Sequence, residues 1–361
     1  MNAVNPSYKR ILIIKPSSLG DIIHALPTLA ALRDAFPESW IAWLVKREWA
    51  EILEGHPDLN EVLSVDFRPR GWASLVRVIR GRTFDLTVDL QGLFRTGFVS
   101  RLSGARERIG FADGREGSPF FYTQKVKLPI PIAKPWRLLD MHAVDRNLQV
   151  AKHLGAEIDK PRFPFPSFEK EQDEVEGWLH HAGVNPTHRL IALAPLARLE
   201  IKNWPFEKFL QVAEALCARE CTRIVLIGTE SQRWMGAPFQ RRVGQRLVNL
   251  VGKTRVRQLP ALLKRVHLLI ANDSAPLHLA SVSGTPVIAL LGPTNHLATG
   301  PYGDGLHCIV KTSLPCSPCG RQACHNREYL ECLNTLSVDQ VVGAANSLLM
   351  KAGFLQSGVE V

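Results

Sequence analysis

A chain of 361 residues with 45% apolar and 22% charged side chains belongs to a folded globular protein, and its length suits two domains better than one core. No stretch reaches the roughly 18 apolar residues of a spanning helix. The N-terminus lacks the order of a signal peptide, because Lys15-Pro16 interrupts the short run Ile11 to Ile14, so a cytoplasmic location is expected. A net charge of +10 implies attraction to anionic partners, whether nucleic acid, phosphorylated glycolipid or membrane surface, without choosing among them.

The first half reads as strands alternating with helices. Lys9 to Ile14 is an apolar strand, followed by the turn PSSLGD and then helical spacing through Ile22, Ile23, Leu26, Leu29, Ala30, Ala35 and Phe36, read as one helix. Trp40 to Val45, Val62 to Val65 and Leu86 to Leu90 are further strands; Trp49 to Leu53 is a short helix and Trp72 to Arg80 a basic one. That alternation predicts a parallel sheet covered on both faces. His142 to Leu154 is helical, and the segment AEIDKPRFPFPS after it carries Pro161, Pro164 and Pro166. Proline at that density cannot continue a helix or a central strand, which places the domain boundary there, with domains 1–160 and 161–361.

The second half repeats the same grammar. Leu190 to Ala194, Arg223 to Ile227, Val248 to Val251, Leu268 to Ala271 and Val287 to Leu291 read as strands, Phe206 to Ala218 as a helix. A final helix near Val338 to Leu349 could pack on either domain. Two such domains predict a cleft at the carboxyl ends of both sheets. No G-x-G-x-x-G follows the first strand and no P-loop motif occurs, which disfavours dinucleotide oxidoreductases and P-loop NTPases.

Several turns carry candidate chemistry. In KPSSLGD, Ser18 and Gly20 allow a close approach to a ligand, and Asp21 is either a helix cap or a general base. In VDLQGLFRTG, Gln91 can hydrogen-bond a polyol and Arg95 can reach an anion, against a reading of Asp89 as a cap and Arg95 as solvated. Arg68, Arg70, Arg77, Arg80 and Arg82 surround Trp72, either as a solvated face or as a contact for an acidic acceptor or anionic lipid; Arg115 sits in the Gly-rich loop FADGREGSP.

In the second half, Lys202 stands just before a helix N-terminus, a position that suits a lysine when an anion lies between them, and Trp204 reads as a packing anchor. Gly228, Thr229 and Glu230 end one strand, where Glu230 either accepts from ribose hydroxyls or caps; VGKT, with Thr254, is equally open. NDSAPLHLA runs from a buried strand into a helix with Asp273 or Ser274 as N-cap and Pro276 in the first turn, a geometry that favours phosphate. Cys316, Cys319, Cys324 and Cys332 form C-x2-C-x4-C-x7-C, whose first pair has zinc spacing while the other gaps fit no standard finger; a structural metal and reduced thiols in a loop are both open.

The motifs KPSSLGDIIHALPTL, DLQGLFRTG, RIGF, HAVDRNLQVAKHLG, KNWP and NDSAPLHLA, in this order, resemble the ADP-heptose:lipopolysaccharide heptosyltransferases, glycosyltransferase family nine. The first-half motifs look closest to heptosyltransferase I, while the cysteine tail is more like that of heptosyltransferase II. The resemblance implies a GT-B fold with two Rossmann-like domains, acceptor in the first and donor in the second, and an inverting transfer with neither metal nor cofactor. It implies Asp21 as catalytic base. The donor falls to Lys202, Arg198, Gly228, Thr229, Glu230, Thr254, Asp273, Ser274, Ala275, Leu277 and His278, and the acceptor to Ser18, Gly20, Arg68, Arg70, Gln91, Arg95 and Arg115. The implied partners are ADP-heptose, Kdo-lipid A and the anionic inner-membrane surface, with no nucleic acid. The alternatives are a related enzyme using another nucleotide-sugar and a basic nucleic-acid-binding protein; the second is disfavoured because the basic residues are scattered without stacking aromatics among them.

Overall fold

The computed structural model describes residues 8–68, 71–129 and 140–355. The chain divides into two compact units, the change falling between Ser167 and Phe168, just past the proline-rich stretch.

The first unit is built on six parallel strands: β1 Arg10–Ile14, β2 Trp40–Lys46, β3 Glu61–Val65, β4 Leu86–Asp89, β5 Glu107–Phe111 and β6 Gln124–Val126. Their order is β3-β2-β1-β4-β5-β6, with Ile11 beside Ile41 on one side and Leu86 on the other. Ile11 to Ile14 are fully buried, as a central strand covered on both faces requires. The second unit repeats the arrangement with β7 Arg189–Ala194, β8 Thr222–Leu226, β9 Leu247–Asn249, β10 Leu268–Asn272, β11 Val287–Leu290 and β12 His307–Val310, ordered β12-β11-β10-β7-β8-β9. In each sheet the order reverses beside the first strand, between β1 and β4 and between β10 and β7. Loops leaving the carboxyl ends of those paired strands diverge there, which opens a crevice for ligands.

Three expectations change. The helix after PSSLGD is two helices, Leu19–Ile23 and Leu26–Ala35. Pro27 lies in the first turn of the second and cannot donate to a preceding carbonyl, so the chain restarts there. The carbonyl of His24 is satisfied instead by Asn147 Nδ2 at 3.1 Å. Trp49 to Leu53 belongs to a 3-10 turn, Arg47–Ile52. The last helix, Val338–Lys351, packs into the second unit through Val341, Ala345, Leu348 and Leu349, so its position is no longer open.

Candidate active site

At the first unit's reversal, β1 runs into Lys15-Pro16-Ser17-Ser18 and the Leu19–Ile23 helix. Ser18 is the N-cap and Asp21 the third helical residue. Asp21 Oδ2 accepts from the Ser18 N–H at 2.8 Å and from the Ser18 hydroxyl at 2.7 Å. The carboxylate therefore does cap, reciprocally with Ser18, and those same bonds fix it on a half-buried edge. Capping and a chemical role are compatible here, because orientation is what a catalytic carboxylate needs. Gly20 is buried inside the helix turn.

Lys15, not among the expected site residues, is buried, and its ammonium donates to the Leu90 carbonyl at 2.8 Å. That bond joins the loops after β1 and β4 across the reversal. The second loop is held from below by Asp89. Its Oδ1 accepts from the N–H groups of Gln91 at 2.9 Å and Gly92 at 3.1 Å, and its Oδ2 accepts from Tyr122 Oη at 2.7 Å. Burial raises the Asp89 pKa, while the bonds from Tyr122 and the loop pull the other way. Gly92 has φ of 66° and gives its carbonyl to the Arg115 N–H at 2.8 Å, so the Gln91 and Arg115 loops meet there. A buried ion pair, Arg146 to Asp113 at 2.7 Å with the guanidinium 3.5 Å above the Phe111 ring, anchors the loop that carries Arg115.

Ser18, Gly20, Asp21, Gln91 and Arg115 thus lie on loops or turns that meet at one reversal point. Arg95 is exposed, with its guanidinium 5.7 Å from the Phe67 ring centroid. Arg68 is paired with Asp66 two residues away in its own loop. Arg70 lies outside the described residues.

At the second unit's reversal, the loop after β7 meets the turn after β10. Asn272 bridges them: its Nδ2 donates to the Pro195 carbonyl at 2.5 Å and its Oδ1 accepts from the Trp204 N–H at 3.1 Å. Asn203 Oδ1 pins the Ala197 N–H at 2.7 Å, and Trp204 is fully buried with its indole N–H on the Leu336 carbonyl. Trp204 is the anchor the sequence suggested. Between these supports stands Asp273, whose Oδ2 accepts from Lys202 Nζ at 2.5 Å and Thr294 Oγ1 at 2.6 Å, and whose Oδ1 lies 3.3 Å from His278 Nε2. Burial alone would raise the Asp273 pKa; His278 and Lys202 outweigh it and hold the carboxyl well below the usual range. The anion beside Lys202 in this structure is therefore Asp273.

Ser274 is the N-cap of the Ala275–Val282 helix, but its hydroxyl donates to the Asn272 carbonyl, so no side chain caps the first turn. Ala275 is half-buried in that turn. Leu277 departs from expectation: its side chain is fully buried and its N–H bonds the Ser274 carbonyl, so it packs the core. Thr294, after β11, was missed; its signal was one more polar turn at a strand's carboxyl end.

The ends of β8 and β9 meet through the Gly252 N–H on the Gly228 carbonyl at 2.9 Å. Thr229 caps the Glu230–Met235 turn reciprocally with Gln232, and exposed Glu230 pairs with Arg233 at 2.8 Å. Thr254 is half-buried in the neighbouring turn, and Arg198 is exposed in the loop after β7. Cys316, Cys319, Cys324 and Cys332 line a common cavity. Burial, reinforced by the other three sulfurs, pushes the Cys332 thiol up to about 11. Among the described residues no group of three or more His, Cys, Asp or Glu is arranged to hold a metal ion.

Two Rossmann-like units, each a parallel six-stranded sheet with a reversal of strand order, have the architecture of the GT-B fold. Comparison agrees. The profile of glycosyltransferase family 9 (heptosyltransferase) matches residues 72–330, and the chain belongs to that family. It is 26% identical to lipopolysaccharide heptosyltransferase 1 of Pseudomonas aeruginosa over 87% of each chain. Among solved structures, the family 9 glycosyltransferase of Veillonella parvula superposes with a TM-score of 0.82 at 24% identity, over 97% of this chain and 100% of that one. Escherichia coli heptosyltransferase WaaC with ADP-2-deoxy-2-fluoro heptose superposes with a TM-score of 0.67 at 22% identity, over 93% and 99%.

Proposed function

We propose that this enzyme transfers heptose from ADP-L-glycero-β-D-manno-heptose to the Kdo-bearing inner core of lipid A, with inversion at the anomeric carbon, at the cytoplasmic face of the inner membrane. The observation that carries the reading is the Lys202–Asp273 pair at the reversal of the second sheet, beside the uncapped N-terminus of the Ala275–Val282 helix. A lysine and a helix N-terminus together suit a diphosphate. The ligand named for the WaaC structure, a fluorinated ADP-heptose, supports the choice of donor.

In this reading Asp21 takes the proton from the acceptor hydroxyl as that oxygen bonds to the anomeric carbon. The bond from that carbon to the diphosphate breaks, and ADP leaves with the electron pair. Lys202 and the N–H groups of Ser274 and Ala275 stabilise the charge that grows on the leaving diphosphate, the term that is usually largest in such sites. Glu230, with Gly228, Thr229 and Thr254 around it, takes the nucleoside; Arg198 stands by as a second anion contact. Arg95, Arg115 and Gln91 hold acceptor carboxylates, phosphates and hydroxyls, with Ser18 positioning Asp21. No helix among the described residues is long and apolar enough to cross a membrane.

The test is direct. Incubation with ADP-heptose and Kdo2-lipid A is expected to give a product heavier by one heptose. Thermal-shift titration is expected to show stabilisation by ADP over UDP; a UDP-selective shift overturns the heptose donor and leaves a related sugar transfer.

A further inference from the structure

Beside the loop that carries Gln91, the first unit carries a run of aromatic rings that its core leaves partly uncovered. Phe94, Phe98 and Phe120 are 51%, 36% and 90% exposed. Phe94 and Phe98, one turn apart on the Phe94–Leu102 helix, stack at 6.2 Å between centroids, and Phe121 meets both edge-on at 5.2 and 5.9 Å. Trp72 extends the run, 5.9 Å from Phe98 and 6.0 Å from Phe67. Gly97 makes this assembly possible. A Cβ there would lie 2.7 Å from Phe121 Cδ2 and 3.0 Å from the Ser118 carbonyl, so the Ser118–Phe121 turn sits directly on the helix and projects Phe120 outward.

The rim is basic. Arg95 lies over Phe67, Arg101 follows Phe98 on the same helical face, and exposed Arg80 reaches that helix through its Nε on the Leu102 carbonyl at 3.1 Å. The acids nearby are already engaged, Glu116 with the Phe94 N–H at 3.3 Å and Asp66 with Arg68. Exposed contiguous apolar surface on a soluble unit marks an interaction site. Aromatic rings flanked by arginines match the interface of an anionic bilayer, where rings sit at headgroup depth and each cation is attracted by the surface potential.

We propose that this face, Phe94, Phe98 and Phe120 with Arg80 and Arg101 on its rim, docks the first unit on an anionic phospholipid bilayer. The proposal deepens the functional reading, because it rests on an acceptor that is lipid-borne, and it names the surface that meets the membrane.

The experiment is vesicle sedimentation with the full chain, using phosphatidylcholine alone and phosphatidylcholine mixed with phosphatidylglycerol. Wild type is expected to sediment with the mixed vesicles and much less with the neutral ones. Phe120→Ser, a change at a side chain too exposed to disturb the fold, is expected to weaken partitioning about tenfold. Arg101→Glu is expected to weaken it about fivefold or more on mixed vesicles, and added salt should do the same. Both variants should transfer normally to an acceptor saccharide stripped of acyl chains. Wild-type affinity of Phe120→Ser for mixed vesicles overturns the proposal. So does a wild-type protein that ignores vesicles but is dimeric and becomes monomeric on Phe120→Ser, which would assign the face to a second copy of the chain. If no heptose transfer is found on any acceptor but vesicle binding still depends on Phe120, the docking face stands and the functional reading falls.

Discussion

Lys202 Nζ and Asp273 Oδ2, 71 residues apart in sequence, lie 2.5 Å apart where the second sheet reverses its strand order. The lysine proposed to hold the donor diphosphate is thus fixed in position by a carboxylate. Its partner is a carboxylate that also receives Thr294 and lies against His278.

Removing the ammonium should therefore have two separable effects. Lys202→Met leaves a buried carboxylate short of its cation and is expected to lower stability by about 2 kcal/mol, since breaking a buried pair is costly. It should also weaken ADP binding at least tenfold. Asp273→Asn in the same chain should recover most of the stability without recovering ADP affinity. Denaturant unfolding and calorimetric titration read the two effects independently, and recovery of both would reduce Lys202 to a structural partner.

Asp21 and Ser18 separate capping from chemistry. Ser18→Ala removes the hydroxyl bond to Asp21 and is expected to cost about 1 kcal/mol while turnover falls only several-fold. Asp21→Ala should lose a similar amount of stability but at least a hundredfold in kcat, with ADP affinity nearly unchanged. Equal turnover in the two variants would leave Asp21 with capping alone.

Tyr122→Phe tests the support beneath the Gln91 loop. Its hydroxyl serves Asp89 Oδ2 in a fully buried setting, so its loss should cost about 1–3 kcal/mol. Because Asp89 fixes the N–H groups of Gln91 and Gly92, the acceptor KM should rise while ADP affinity stays constant.

His56 gives a pH dependence. Burial lowers its pKa below the ordinary 6.5, against the opposing pull of the Pro164 carbonyl and Asp58. Nδ1 accepts from the Asp58 N–H at 3.1 Å, so Nε2 carries the proton towards Pro164 at 2.9 Å, and a second proton has no place. Above pH 6.5 the ring is neutral folded and unfolded. As the pH drops below 6.5 the unfolded chain takes up a proton that the folded chain refuses, so stability falls until the folded ring also titrates. Melting curves of wild type should decline over that range more steeply than those of His56→Gln, and parallel curves would exclude the histidine.

The polar turns at strand ends were legible because apolar runs end abruptly at PSSLGD, GTES and NDSAP, and a parallel sheet sends all those ends to one edge. The break before Pro27 was also written in the sequence, but the spacing of Ile22, Ile23 and Leu26 hid it. Short edge strands such as Gln124–Val126 carry too few apolar residues to stand out. What could not be read were partnerships across the chain. Nothing local in Lys15 announces the Leu90 carbonyl, nothing in Asp89 announces Tyr122, and Asp113 takes its meaning from Arg146. Leu277 misled for the opposite reason, since its place in the NDSAPLHLA motif says nothing about which way a helical residue faces.

Asn272 holds two stretches of main chain with one amide, the Pro195 carbonyl and the Trp204 N–H. That one amide fixes the spacing between the loop after β7 and the turn after β10, where the nucleotide is proposed to bind. Little conformational entropy then remains to be lost when a ligand arrives, and small fragments of the donor should be recognised by the same shape that receives the whole molecule.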